Sequence, residues 1–157
     1  MIIARTRKDL NKTLKQFSQK PGKLALIPTM GNLHDGHLSL IRLAKLNAKK
    51  TITTIFVNPL QFRKNEDYGK YPRTEETDIQ KLTKEKCDIL FIPTNKNEVF
   101  PEYEKLKQIE AGKLGNELCG KIRPGHFNGV LTVVNKIFEI IRPDIAIFGA
   151  KDYQQQI

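Results

Sequence analysis

Short apolar runs alternate along the chain with amphipathic segments, and this alternation limits the possible folds more than any other feature. Each run is almost continuously apolar and several are rich in β-branched residues, as in strands buried on both faces of a sheet. The four predicted strands are "KLALIP" (23–28), "TITTIFV" (Thr51–Val57), "DILFIP" (88–93) and "DIAIFG" (Asp144–Gly149). Strands that alternate with helices predict an α/β fold, a Rossmann-like parallel sheet with helices on both faces.

The segments between these strands carry apolar residues at helical spacing. In the first segment Thr6 is a candidate N-cap, Asp9 follows three residues later, and Pro21 and Gly22 end the helix. The predicted helices are Thr6 to about Gln19, a helix from His34 or Asp35, "TEETDIQKLTKEK" (74–86) and Phe127–Ile141. Residues 95–125 combine short alternation with four glycines, which predicts a hairpin or a looped insertion.

The length of 157 residues suits one domain with its own hydrophobic core. No apolar run approaches the roughly 18 residues that cross a bilayer, and the first residues, "MIIARTRKDLN", lack the apolar stretch of a secretory signal. The two cysteines, Cys87 and Cys119, lie far apart and in no metal-like spacing, as in a reducing compartment. We therefore expect a cytoplasmic protein with no membrane contact.

The formal net charge of +10 indicates anionic partners, which include nucleic acid, phosphates and carboxylates. The simpler explanation is that scattered lysines solvate the surface, because they are spread along the chain and not clustered with aromatic residues. No RNA-recognition motif with interleaved aromatic residues is present. A basic nucleic-acid-binding domain stays an alternative, but we expect no nucleic-acid partner.

Ligands of open parallel sheets bind beyond the carboxyl ends of the strands, so the segments that follow strands are the candidate sites. The first is "PTMGNLHDGH", in which Gly31 permits a tight turn and His34 and His37 lie one helical turn apart. Their place near a helix N-terminus favours an anion such as a phosphate. Two surface histidines without function are the alternative; a metal site would need a third ligand that is not evident nearby.

Two more segments follow predicted strands. In "FVNPLQF", Asn58 and Gln61 carry amides that donate and accept hydrogen bonds, so they suit a polar substrate or, alternatively, cap the loop. In "FGAKDYQQ", Lys151 offers a point charge for phosphate, and Asp152 could accept from a ribose hydroxyl or orient Lys151. Neither a P-loop nor a GxGxxG motif is present.

Five motifs together resemble the pantothenate synthetase (pantoate–β-alanine ligase) family of the HxGH nucleotidyltransferase superfamily. They are "PTMGNLHDGHLSL", "FVNPLQF", "EDYGKYPRT", "RPGHFNGVLTVVNKIF" and "PDIAIFGAKDYQQ", in the family's order and over nearly the whole chain. The resemblance implies that pantoate attacks ATP to give pantoyl adenylate, and that β-alanine then displaces AMP. It also implies ATP as co-substrate, Mg²⁺ on its phosphates and a homodimer. Another HxGH nucleotidyltransferase is the alternative enzyme.

The family's roles transfer to this chain motif by motif. His37 would be the catalytic proton donor, with His34 beside it on the phosphates. Gln61 would contact pantoate and lie close to β-alanine, Gln155 would bind pantoate, and Asn58 completes the substrate group. The implied ATP-binding residues are Met30, Gly31, Asn32, Leu33, His34, Asp35, Gly36, His37, Gly149, Ala150, Lys151 and Asp152; no metal ligand is implied.

The chain departs from the family pattern at three positions and in length. Asn32 stands where alanine is usual, Asp35 where glutamate is usual, and Ala150 where glutamate or glutamine is usual, which could loosen one nucleotide contact. Family members are considerably longer, so we expect residues 1–157 to be a C-terminally truncated Rossmann-like nucleotide-binding domain, without the family's small C-terminal domain. We therefore expect low activity from this chain alone.

Overall fold

A computed structural model describes residues 1–62 and 68–155, except for the side chain of Gln155. Its centre is a parallel sheet of five strands in the order β1-β4-β3-β2-β5. The strands are β1 (Ile2–Ala4), β2 (Leu24–Thr29), β3 (Lys50–Ile55), β4 (Ile89–Phe91) and β5 (Ile145–Ala146). The predicted α/β fold with a Rossmann-like parallel sheet is confirmed.

The first two helices begin at side-chain caps that the sequence supplies. Thr6 caps the first helix, because its side chain accepts a hydrogen bond from the backbone N–H of Asp9 at 3.1 Å. The helices are α1 (Arg7–Ser18), α2 (Asp35–Asn47), α3 (Glu75–Lys84), the short α4 (Cys119–Ile122) and α5 (His126–Ile141). The four predicted helices are therefore present, and α4 is additional.

Alternation along the strands divides the core into two layers. On β2, Leu26 packs with α1 and α5 on one face, whereas Ala25 and Ile27 pack with α2 and α3 on the other. The two clusters hold most of the buried apolar side chains of the described residues. Helices on both faces make the sheet doubly wound, as predicted.

Two details of the strand prediction are wrong. The prediction of four strands missed β1, which lies at the sheet edge and pairs with β4 from Ile2 opposite Ile89 to Ala4 opposite Phe91. Three residues are too few to show a periodic pattern, so its only signal was the apolar pair at the chain start. The last strand is Ile145–Ala146 and not Asp144–Gly149, because only its first part pairs with β2.

Residues 95–125 form a looped insertion and not a hairpin. They contain three short 3₁₀ turns and α4, and none of them belongs to a strand. Two side chains of α5 hold the loop against the domain: Thr132 Oγ1 accepts from the Ile109 N–H at 2.8 Å, and Asn128 Oδ1 accepts from the Ala111 N–H at 2.9 Å. Bonds to a helix therefore replace the strand pairing that a hairpin would have provided.

The strand order reverses at β2, and this reversal places the site. From β2 the chain passes to β3 and β4 on one side, whereas β5 lies on the other side. A crevice opens at such a reversal, outside the carboxyl ends of the two strands.

Among the described residues, no helix is both long and apolar enough to span a bilayer.

Candidate active site

A pocket of about 720 Å³ lies in this crevice. Its lining comes from the loop after β2, the start of α2, the turn after β3, one side of α5 and the segment after β5. The three segments predicted from the sequence therefore meet at one site. The following site residues predicted from the sequence line the pocket: Met30, Gly31, Asn32, His34, Gly36, His37, Gln61, Gly149, Ala150, Lys151 and Asp152.

The loop after β2 turns through two residues with left-handed backbone conformation, Gly31 with φ 85° and Asn32 with φ 51°. Glycine is needed at position 31 because a Cβ there would lie 3.0 Å from Cγ2 of Ile55. Asparagine tolerates the left-handed region better than most residues. This turn brings the chain from the end of β2 into the first turn of α2.

His34 and His37 form a capping box at the start of α2. Nδ1 of His34 accepts from the Gly36 N–H at 3.1 Å, and Nδ1 of His37 accepts from the His34 N–H at 3.3 Å. The ring centroids lie 4.1 Å apart. Since both Nδ1 atoms are acceptors, the hydrogen of each neutral ring is assigned to Nε2. The pair therefore offers two Nε2–H donors.

The surroundings of His37 favour its neutral form. Burial lowers the pKa of His37, and the neighbouring His34 and Lys151 lower it further, whereas Asp152 and Asp78 act in the opposite direction. Lys151 and Asp152 form an ion pair, with Nζ 2.8 Å from Oδ1. Asp152 therefore orients Lys151, which is one of the two roles predicted for it.

Asn58 holds Gln61 and does not line the pocket. Its side chain is only 1% exposed. Its Oδ1 accepts from the Leu60 N–H at 3.2 Å, and its Nδ2 donates to Gln61 Oε1 at 2.9 Å and to the Gly129 carbonyl at 3.0 Å. These bonds match the loop-capping alternative. Because Asn58 occupies Oε1 of Gln61, the Nε2 group of Gln61 is the donor that can face a ligand.

Leu33 and Asp35 do not line the pocket, so their predicted nucleotide contacts stay predictions. Leu33 is 2% exposed and packs in the core against α2 and α3, so its side chain cannot reach a ligand. Asp35 is exposed in the first turn of α2 and does not line the pocket. The side chain of Gln155 lies outside the described part of the chain, so its predicted contact with pantoate stays a prediction.

The sequence prediction missed the apolar wall of the pocket. Val130, Val133, Val134 and Ile137 of α5 line it together with Phe56 and Phe148. Their helical spacing identified one apolar face of α5, but the pattern does not distinguish a face that covers a sheet from one that borders a cavity. Tyr71 also lines the pocket, and burial raises the pKa of its phenol.

A doubly wound parallel sheet with a histidine pair at its strand reversal defines an α/β protein of the Rossmann-like class. The comparison with protein families is more specific. The family model for pantoate–β-alanine ligase matches residues 2–157, so the chain belongs to that family.

Curated relatives support the same assignment. The pantothenate synthetase of Neisseria meningitidis serogroup B is 53% identical over 142 residues, which cover 90% of this chain and 51% of the relative. That of Laribacter hongkongensis is 48% identical over 155 residues, with 99% and 54% coverage. This chain therefore spans about half the length of the curated relatives it matches.

Solved structures agree with the fold. The crystal structure of the Thermus thermophilus pantothenate synthetase matches with a TM-score of 0.89 and 40% identity, covering 99% of this chain and 54% of that one. The Francisella tularensis pantoate–β-alanine ligase, solved with "Beta-gamma ATP" and β-alanine, matches with a TM-score of 0.92 and 42% identity over 99% and 59% of the two chains.

Proposed function

We propose that this chain forms the nucleotide-binding domain of an ATP-dependent ligase that joins pantoate and β-alanine to pantothenate, releasing AMP and pyrophosphate. The observation that carries the proposal is that the imidazole pair, Lys151 and Gln61 line one pocket. Adenylate formation needs donors for the phosphates next to a site for a small acid. The imidazoles and Lys151 could supply those donors, and Gln61 in the same pocket supports a neighbouring site for the acid.

In the first step, a carboxylate oxygen of pantoate bonds to the α-phosphorus of ATP, and the bond to the bridging oxygen breaks, so pyrophosphate leaves. The reaction needs no protein nucleophile, only alignment of the two anions and relief of their repulsion. The Nε2–H groups of His34 and His37 suit phosphate oxygens on which negative charge increases. Lys151 adds a point charge. Bound phosphates raise the pKa of His37 and favour its protonated form, which can then act as the proton donor.

In the second step, the amine nitrogen of β-alanine bonds to the acyl carbon of the adenylate, and the bond to the AMP oxygen breaks. The nitrogen loses a proton, which passes to solvent, as the amide forms and AMP leaves. Gln61 lies in the same pocket as the imidazole pair, so we place it next to both small substrates. Since Asn58 fixes its Oε1, its Nε2 group donates to the substrate oxygens.

The pocket wall of α5 suits the carbon skeleton of pantoate. Pantoate carries two methyl groups on one carbon between its hydroxyl groups, and these methyl groups need an apolar surface. Val130, Val133, Val134 and Ile137 provide such a surface in the pocket that Gln61 also lines. We propose that this wall and the amides of Gln61 and Gln155 together select pantoate.

Mg²⁺ is expected on the phosphates of ATP, where it would offset their charge. Among the described residues, no three histidine, cysteine, aspartate or glutamate side chains are grouped to hold a metal ion. Asp152 lines the pocket and supplies one carboxylate. One carboxylate combined with phosphate oxygens fits the usual ligands of this ion, so we propose that Mg²⁺ binds together with the nucleotide.

We also propose a cytoplasmic homodimer. The thiols of Cys87 and Cys119 are both free, which fits a reducing compartment. Leu114, Leu118, Ile122 and Tyr153 are large exposed apolar residues close to one another on the turns around α4 and after β5. A second copy would bury them. Light scattering on the chain and on the Leu118→Glu variant tests the dimer.

The test of the activity is pyrophosphate release from ATP and Mg²⁺ with and without pantoate, using this chain extended by the remaining part of a relative. We expect release to require pantoate. His37→Ala should lower it by about two to four orders of magnitude, the range for lost acid–base or charge-stabilising groups. An unchanged rate in this variant would rule out the role of His37.

Binding to the chain as it stands separates the alternatives. ATP and pantoate should raise its melting temperature, because ligands that bind only the folded state stabilise it. RNA should not. Tight RNA binding that weakens steeply with salt, without a shift by ATP, would instead favour a nucleic-acid-binding domain.

A further inference from the structure

The loop that carries the histidines is fixed by two charged side chains of α3. The left-handed backbone conformation of Asn32 is less favourable than the right-handed one, although asparagine tolerates it better than most residues, so contacts from the surroundings help to hold it. His34 follows this loop directly and caps α2, so any shift of the loop backbone moves both imidazoles. The contacts that hold the loop therefore decide where the two rings stand.

Asp78 supplies the first of these contacts. Its side chain is 1% exposed. Its Oδ2 accepts from the Asn32 N–H at 2.9 Å and from the Thr74 hydroxyl at 3.1 Å, and its Oδ1 accepts from the Leu33 N–H at 2.8 Å. Both carboxylate oxygens are thus used, and two of the three bonds go to consecutive backbone groups of the histidine loop.

Lys81 supplies the second contact, one helical turn further along α3. Its Nζ donates to the Leu33 carbonyl oxygen at 2.5 Å. The N–H and the carbonyl of Leu33 are therefore bound by side chains of opposite charge, while the Leu33 side chain is buried between α2 and α3. We call Asp78 and Lys81 the α3 clamp.

We infer that Asp78 and Lys81 are positioning residues, which hold the backbone of Asn32 and Leu33 so that the His34–His37 capping box forms with both Nε2–H donors on the pocket side. The clamp does not line up reacting atoms itself; it acts through Leu33 and the backbone of His34. Its consequence for adenylate formation depends on the proposed function, whereas its effect on the imidazoles does not.

Neither residue was singled out by the sequence pattern. Asp78 is one of several acids in the first turns of α3, and Lys81 is one of its lysines, so both fit a solvated helix. Only the distances to the loop distinguish them from their neighbours. Glu76 and Lys84 lie on the same helix, are exposed, and serve as matched controls.

The experiment records the imidazole ¹⁵N shifts of this chain without ligand, since these shifts report the tautomer. The variants are Asp78→Asn and Lys81→Met, with Glu76→Gln and Lys84→Met as controls. His34 and His37 should show the Nε2–H tautomer in the parent chain and both controls. They should show a mixture of tautomers in the two clamp variants, and Lys81→Arg, which keeps a donor and the charge, should restore the parent signals.

ATP affinity of the same variants is the second readout. Loss of a buried hydrogen bond from the loop should weaken ATP about tenfold in Lys81→Met and leave the two controls within about twofold. If Asp78→Asn does not fold, Lys81→Met and its rescue decide the matter. A clamp variant that melts earlier but keeps the parent tautomers would overturn the inference. If the parent chain binds no ATP, the proposed function fails and the tautomers still test the clamp.

Discussion

At the scale of single residues, His37 takes part in the capping of α2 and also has the properties expected of a residue that binds phosphate. Its Nδ1 is occupied by the His34 N–H, and its surroundings lower its pKa. With Nδ1 engaged as an acceptor, the ring presents its Nε2–H as the group that can donate a hydrogen bond to a phosphate oxygen. Histidine is not among the usual N-cap residues, so the sequence indicated an anion site here but not this arrangement.

The charge of Lys151 should be visible in the titration of His37. We expect the His37 ring of the free chain to titrate below the ordinary value of about 6.5. Lys151→Met should raise this midpoint, because a nearby positive charge disfavours the imidazolium, and bound ATP should raise it in the parent chain. NMR titration of the ring measures both shifts. The control is Lys121→Met, at an exposed position on α4, which should leave the titration midpoint of His37 unchanged. If Lys151→Met also left this midpoint unchanged, the electrostatic explanation would be wrong.

Gln61 and Asn58 should act as one unit on the small substrate. Gln61→Ala should weaken pantoate much more than ATP, because it leaves substrate oxygens unpaired. Asn58→Ala should do the same through Gln61, and the double variant should lose less than the sum of the two single losses. Calorimetric titration of each ligand decides this.

Equal losses for ATP and pantoate would mean that Gln61 and Asn58 only support the local fold. Gln155→Ala should also weaken pantoate selectively, which tests the predicted contact independently of Asn58. Additive losses in the Asn58 and Gln61 double variant would show that the two amides act separately.

At the scale of elements, α5 packs unusually closely against the turn Pro59–Gln61. A Cβ on Gly129 would lie 2.3 Å from the Leu60 carbonyl oxygen, which is too close for a carbon and an oxygen that are not bonded to each other. Replacing glycine by alanine within a helix ordinarily stabilises a protein by about 0.5–1 kcal/mol. At this position the clash should reverse the sign.

Gly129→Ala should therefore lower the free energy of unfolding and weaken pantoate, because the turn that carries Gln61 must move. Chemical denaturation and ligand titration measure the two effects. ATP affinity is the internal control, since Gly129 packs against the turn that carries Gln61. A more stable variant with unchanged pantoate affinity would show that the turn adjusts without cost.

Whether an element could be predicted from the sequence depended on its length and on whether its apolar face covers the sheet or borders the pocket. The strands β2, β3 and β4 appeared in the sequence as short apolar runs and the four long helices as helical periodicity, so the α/β fold could be predicted. β1 has too few residues for a period, and α5 displayed an apolar face without displaying the cavity it borders. Leu33 and Asn58 lie in motifs that were predicted to bind ligands, but their side chains are buried in the interior. Such orientation depends on tertiary packing, which local sequence does not report.

At the scale of the whole molecule, the fold collects its charged and polar side chains at the edge where the strand order reverses. The loop after β2 brings the imidazoles, the segment after β5 brings Lys151, and the turn after β3 brings Gln61. The α3 clamp and Asn58 fix two of these three segments from behind. The segment after β5 is less enclosed, since Lys151 exposes 66% of its side chain.

This exposure predicts how the chain should behave as an enzyme. Water around Lys151 screens its interaction with the phosphates, so transition-state charge is stabilised less than in an enclosed site. We expect the 157-residue chain to bind ATP weakly and to turn over far more slowly than about 1 per second. Joining it to the remaining part of a pantothenate synthetase relative should raise turnover in a pantothenate-forming assay.

The joined protein with His37→Ala is the control for this last prediction. It should lose the gain, because the added part must act on the pocket that His37 lines. Turnover on the order of 1 per second or more by the 157-residue chain alone would contradict the prediction. It would mean that the charges at the edge of β2 and β5 suffice even when water reaches them, and that closure of the pocket adds little to the chemical step.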